Sequence, residues 1–211
     1  MQSIEEVTFP MLKKASLTLA ILGASIAPAF AHLNPDEHGS FGAGFSHPLF
    51  GTDHILAMIA VGLWAALLGG RDFVLVPTAF VATMLAGFAA ALAGAPLPFV
   101  EPVILASVVV IGLLAAVALR VPVAAGMAMV GFFAFFHGHA HGGELGSAGA
   151  LSFCIGFGLA TALLHSAGVG LGLGLGRLIG GDAGRLATRI AGGLTTLGGL
   201  WLAVGGFGGR I

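Results

Sequence analysis

The chain is written in long apolar runs rather than in the short alternations of strands or the polar-backed stripes of soluble helices. Six runs cover roughly 48–69, 73–94, 102–119, 122–140, 147–172 and 187–207, each near the ~20 residues that carry a helix across a bilayer. The breaks between them are helix-breaking or charged: Gly69-Gly70-Arg71-Asp72, Ala95-Pro96-Leu97-Pro98, Arg120-Val121-Pro122, a His/Gly segment at 137–146, and Arg177 to Arg189. The pattern predicts an all-α integral membrane protein, a six-helix transmembrane bundle over residues 47–211. Ahead of it, Met11-Leu12-Lys13-Lys14, an apolar stretch at 15–28 and Ala29-Phe30-Ala31 form the basic, apolar and small-residue regions of a secretory signal peptide. Residues 1–31 are read as a cleavable signal peptide, with Met11 as an alternative start, and residues 32–46 as a short exported His-containing tail. With about 15 apolar residues, the leading segment is short for a span of its own.

Composition agrees with the pattern. Hydrophobic residues make up 57% of the chain and charged residues 8%, and the mean hydropathy is +1.05, far from a soluble domain. The 36 glycines fit close helix packing in lipid, where small residues let backbones approach. Charge adds an orientation. Threading outward from the signal peptide puts Arg71, Arg120, Arg177, Arg185 and Arg189 in cytoplasmic connections and leaves only Arg210 outside, as the positive-inside rule asks. The protein is therefore placed in a membrane, multi-pass, with the mature N-terminus and the C-terminus external. The net charge of −1 and the scattered basic residues exclude a nucleic-acid surface. The single cysteine, Cys154, excludes a disulfide framework and a thiolate metal cluster.

The candidate chemistry is histidine chemistry. His47-Pro48-Leu49-Phe50-Gly51-Thr52-Asp53-His54 opens the first run. Ionisable groups there are costly in lipid and mark function by default. A helix with Ser46 as N-cap and Pro48 in its first turn would put His47 and His54 on one face, Asp53 beside them and Met58 a turn further on. The second constellation is His137-Gly138-His139-Ala140-His141-Gly142-Gly143-Glu144. Here His137 and His141 share a helical face, the glycine pair ends the helix, and Glu144 reaches over from a loop. Glu101, the acid between Asp72 and Glu144, is read as a third-helix ligand over a water-facing cap. His32 and His38 sit in the tail, and cleavage after Ala31 would let the His32 amine and imidazole chelate together. By the orientation above, every histidine but His165 lies at the external face. His165, deep in the fifth run, is read either as a hydrogen-bonded packing residue or as the inner relay of a path. Gly168, Gly172 and Gly176 beside it form a small-residue face. Imidazole with carboxylate and no thiolate suits nickel, cobalt, zinc or iron(II).

The first motif, continued by Met58-Ile59-Ala60-Val61-Gly62-Leu63-Trp64, resembles the signature of the HupE/UreJ family of nickel permeases, which accompany hydrogenase and urease maturation. The resemblance extends through the signal peptide, the six runs and His137 to Glu144. Thr52 stands where many relatives would carry an apolar residue. The resemblance implies nickel, with cobalt as the second cargo, and implies that His47, Asp53 and His54 handle metal with His137, His141 and Glu144 as counterparts. The expected function is then a secondary transporter rather than an enzyme, with no permanent cofactor and Ni2+ or Co2+ as cargo. No phosphate-cradling glycine loop with its lysine is present, and no ATPase partner is evident. The rival reading is an intramembrane zinc hydrolase in which His54, His137 and His141 hold the metal and Asp53 or Glu144 deprotonates a bound water.

Overall fold

The computed structural model describes residues 40–145 and 149–205, the side chain of Glu144 excepted. The proposed signal peptide, His32, His38 and Arg210 lie outside the described residues. Among the described residues seven helices follow one another: α1 (Phe41–Phe50), α2 (Thr52–Leu68), α3 (Asp72–Leu92), α4 (Val100–Val117), α5 (Val123–Leu145), α6 (Ala150–Ile179) and α7 (Gly181–Ala203). No strand occurs among the described residues.

The first apolar run is not one helix. Ser40, rather than Ser46, is the N-cap, its hydroxyl accepting from the Ala43 N–H at 2.9 Å. That draws residues 41–46, read as tail, into α1. Pro48 then falls near the end of α1, where it has no N–H for the carbonyl four residues back. Gly51 follows in extended conformation and caps α1 through its N–H to the His47 carbonyl. The chain leaves this break as α2, bent by 80° from α1. The expected single face carrying His47 and His54 is thus replaced by two helices meeting at an angle.

Among the described residues four helices, α3, α4, α5 and α6, are long and apolar enough to cross a membrane, and a fifth span arises if α1 and α2 together count as one. The expected bundle of six is met only to that extent. The shortfall lies in α7, whose first turns carry Asp182, Arg185 and Arg189, and in α2, which is 17 residues long by itself.

Packing is parallel where helices alternate in sequence. The α3–α5 seam closes on glycine: a Cβ on Gly138 would collide with the Met84 carbonyl, and one on Gly87 with the Phe135 carbonyl. Gly142 likewise abuts the Phe88 carbonyl, so it serves the seam instead of ending the helix, and α5 runs on to Leu145. On the α2–α6 seam, Gly168 meets the Ile59 carbonyl and Gly62 the His165 carbonyl, with Gly172 against Ala66. α7 lies along α4, and α1 along α6.

Polarity is inverted relative to a soluble protein. Buried positions include His54, Ser107, His137, His141, Thr161 and His165, while Leu151, Ile155, Leu159 and Leu163 stand exposed one turn apart along α6. Burying polar groups and exposing leucine is favourable only where the surroundings are hydrocarbon. Around the buried histidines the core is filled by Met58, Trp64, Phe80, Met84 and Phe88.

Candidate metal centre

The break at Gly51 builds the site. It turns the last turn of α1 towards the first turn of α2, so the His47 and His54 rings meet edge to face, centroids 5.6 Å apart. His141 of α5 closes the group, its ring 4.2 Å from His47 and 4.9 Å from His54. One nitrogen from each of the three imidazoles falls within 4.8 Å of the others. With metal–nitrogen bonds of about 2.0–2.1 Å, such a group can close on one cation with small side-chain adjustments. Gly51 has no room for a side chain, since a Cβ would stand 2.9 Å from His54 Nδ1 and 3.1 Å from Asp53 Oδ1.

The hydrogen bonds set which nitrogens carry lone pairs. Asp53 Oδ1 accepts from His54 Nδ1 at 3.0 Å. This leaves the lone pair on His54 Nε2, which accepts from His141 Nε2–H at 2.8 Å, a contact that a cation would have to replace. A carboxylate behind the ring is the usual way of orienting a ligating histidine and raising its basicity. His137, a turn before His141, lies with its ring 5.1 Å from that of His54. Ser107 of α4 donates its only hydroxyl hydrogen to the Ile104 carbonyl at 2.6 Å. The contact between Ser107 Oγ and His137 Nε2 at 2.9 Å must therefore be donated by the ring. His137 Nδ1 keeps its lone pair, is fully buried and has no hydrogen-bond partner. A fourth imidazole thus stands beside the three with one buried nitrogen unpaired.

Aromatic rings wall the group. Phe157 of α6 lies 5.0 Å from His141 and 6.3 Å from His47, with Phe153 beside it. Phe80 of α3 packs 5.7 Å from His137 on the core side. Apolar walls around a set of neutral nitrogens and one carboxylate favour a cation stripped of water over a hydrated one.

Other residues singled out from the sequence lie apart from this cluster. His139 projects from another face of α5 and donates to the Ala95 carbonyl at 2.7 Å, locking the end of α3 to α5. Glu101 is exposed in the first turn of α4. Met58 is fully buried in the core, one turn past His54. His165 is buried on α6, its ring 4.9 Å from Phe80. Glu144 lies on α5. Ser107 and Phe157 escaped sequence reasoning. Ser107 left one faint trace, a lone hydroxyl inside the third apolar run.

The family model described as HupE / UreJ protein matches residues 19–202. Protein HupE of Rhizobium leguminosarum bv. viciae is 42% identical over 195 residues, covering 91% of this chain and 100% of the relative. No solved structure matches.

Proposed function

The chain belongs to the HupE/UreJ family, and from that premise we propose that it is a permease taking up divalent nickel, with cobalt as second cargo, across the bacterial inner membrane. The observation that carries this reading is the convergence of His47, His54 and His141, from three helices, to within 4.8 Å. Three imidazoles, a carboxylate behind one of them and no thiolate form a donor set for borderline divalent metals, among which Ni2+ binds more tightly than Co2+. The family names fit delivery of metal to hydrogenase or urease maturation.

In this reading α1 and α2 make the first span, and α7 the sixth. Leu186, Ile190, Leu194, Leu197, Trp201 and Val204 form an exposed apolar stripe along α7, suited to lipid, while its charged residues stay in the first turns. The histidine cluster then faces the outside, and the arginine-bearing connections face the cytoplasm. Water ligands are exchanged for imidazole nitrogens at the outer mouth, with His137 Nδ1 as the next donor inward and Glu144 and Glu101 attracting cations to the entrance. His32, His38 and His139 are left as collectors of metal ahead of the site. Inward movement of a divalent cation down an inside-negative potential yields about 4.6 kcal/mol per 100 mV, enough for roughly thousandfold accumulation without ATP.

The zinc hydrolase reading needs a carboxylate able to take a proton from metal-bound water. Asp53 is already engaged by His54 Nδ1, which weakens that reading. The test is uptake of radioactive nickel into proteoliposomes under an imposed inside-negative potential, with cobalt and zinc as competitors. Uptake lost in His54→Ala, and reduced by cobalt more than by zinc, is expected. Tight binding with no uptake would refute the permease reading and return attention to hydrolysis.

A further inference from the structure

We propose that His165 is a second, inner cation station, separated from the outer cluster by the Phe80 ring and taking the metal as a neutral imidazole ligand. The inference rests on the permease reading and adds to it a defined stopping place inside the bundle.

The side chain is 1% exposed, and neither ring nitrogen has a hydrogen-bond partner. That is an unusual condition for a buried imidazole, because buried polar groups are nearly always paired and hydrocarbon offers no water in compensation. A histidine retained for packing would satisfy at least one nitrogen on a neighbouring carbonyl or hydroxyl, as His139 does on the Ala95 carbonyl. His165 does neither, although Thr161 lies one turn away on the same helix and gives its hydroxyl to Met84 Sδ at 3.6 Å. A ring left with both nitrogens open suits a partner that comes and goes.

Its position is that of a step along the bundle. The His165 carbonyl packs on Gly62, eight residues along α2 from His54, which corresponds to about 12 Å along the helix axis. Phe80 stands between the two levels, 5.7 Å from the His137 ring and edge-on to His165 at 4.9 Å. On its other side His165 forms part of the wall of a groove of about 650 Å³ between α3 and α6. Thr78 and Ser166 place hydroxyl-bearing residues along that wall, and Pro77 breaks the backbone ladder of α3 there. The ring therefore has the outer cluster on one side, across a single phenyl ring, and a lateral groove on the other. Imidazole at both levels means the cation exchanges like donor for like, and neither level needs to bind so tightly that it traps the metal.

The test compares His165→Met with His165→Leu in the full-length protein. The two replacements match in size and polarity but only methionine offers a donor atom. Nickel binding in detergent reports the outer cluster, and potential-driven uptake in proteoliposomes reports passage. Both variants should bind as the parent does; uptake should fall by at least about tenfold with leucine, the scale on which metal sites respond to a lost partner, and stay within about threefold with methionine. Parental uptake by His165→Leu, or equal loss in both variants with binding intact, would overturn the station and leave the permease reading standing. Absence of uptake by the parent itself would overturn both. A second measurement does not depend on transport: Co2+ added to His54→Ala should give a visible absorption band that His54→Ala/His165→Leu lacks, and identical spectra would reject ligation by His165.

Discussion

His54 anchors the centre through both ring nitrogens, one held by Asp53 and the other facing His141. His137 is held by Ser107, a hydroxyl on a different helix, which under the proposed reading would stand behind a fourth ligand. Ser107→Ala should leave the fold in place, because the Ile104 carbonyl remains within its helix. It should nonetheless lower nickel affinity by about tenfold, as loss of a partner behind a ligating histidine does. Equilibrium dialysis on the purified variant measures this, and unchanged affinity would remove His137 from the ligand set. Protons compete with metal for imidazole nitrogens, since a protonated ring has no lone pair to offer. At fixed metal concentration and fixed potential, uptake should therefore decline as the external pH falls from about 7.5 to about 5, through the histidine range. Uptake that rises as the pH falls over that interval would rule out imidazole ligation. The common face of His137 and His141 was legible in their spacing. The approach of His141 to His54 was not, because no local period encodes a contact between residues 87 positions apart.

At the scale of the helices, the α3–α5 seam makes a sharp prediction. Gly138 lies between His137 and His139 with its backbone against the Met84 carbonyl, whereas Gly143, five residues on, has nothing within 4 Å of an added Cβ. Gly138→Ala must push α3 and α5 apart and should destabilise the protein by about 1–3 kcal/mol, the usual cost of overpacking, with loss of metal binding. Gly143→Ala relieves a helical glycine and should be neutral or stabilising by up to about 1 kcal/mol. Thermal unfolding in detergent with and without nickel distinguishes the pair, and equal Tm values would show that the seam is looser than described. Sequence pattern captured α3 to α6 well, since each is a long apolar run bounded by glycine, proline or arginine. It missed the break between α1 and α2, because Pro48 and Gly51 stand inside an apolar run where proline at a first turn and proline near a last turn read alike. The capping hydroxyl decides between them, and Ser40 and Ser46 are equally good caps on paper. Gly142 misled for a related reason: glycine marks a helix end in water, but in lipid it also marks a seam.

For the whole molecule, the orientation proposed from the arrangement of arginines is open to direct test. In a Cys154→Ser background, Leu97→Cys should react with a membrane-impermeant maleimide on intact spheroplasts, and Gly70→Cys only after permeabilisation. The reverse pattern would place the histidine cluster on the cytoplasmic side and turn uptake into efflux. The 80° bend between α1 and α2 has a consequence at this scale as well. His47 belongs to a helix that lies along α6, His54 to one that descends through the bundle, and His141 to a third. A cation held by all three is a clasp joining separately mounted levers. Prising α1 away would uncouple one ligand, so loosening of the clasp and departure of the metal would be a single event.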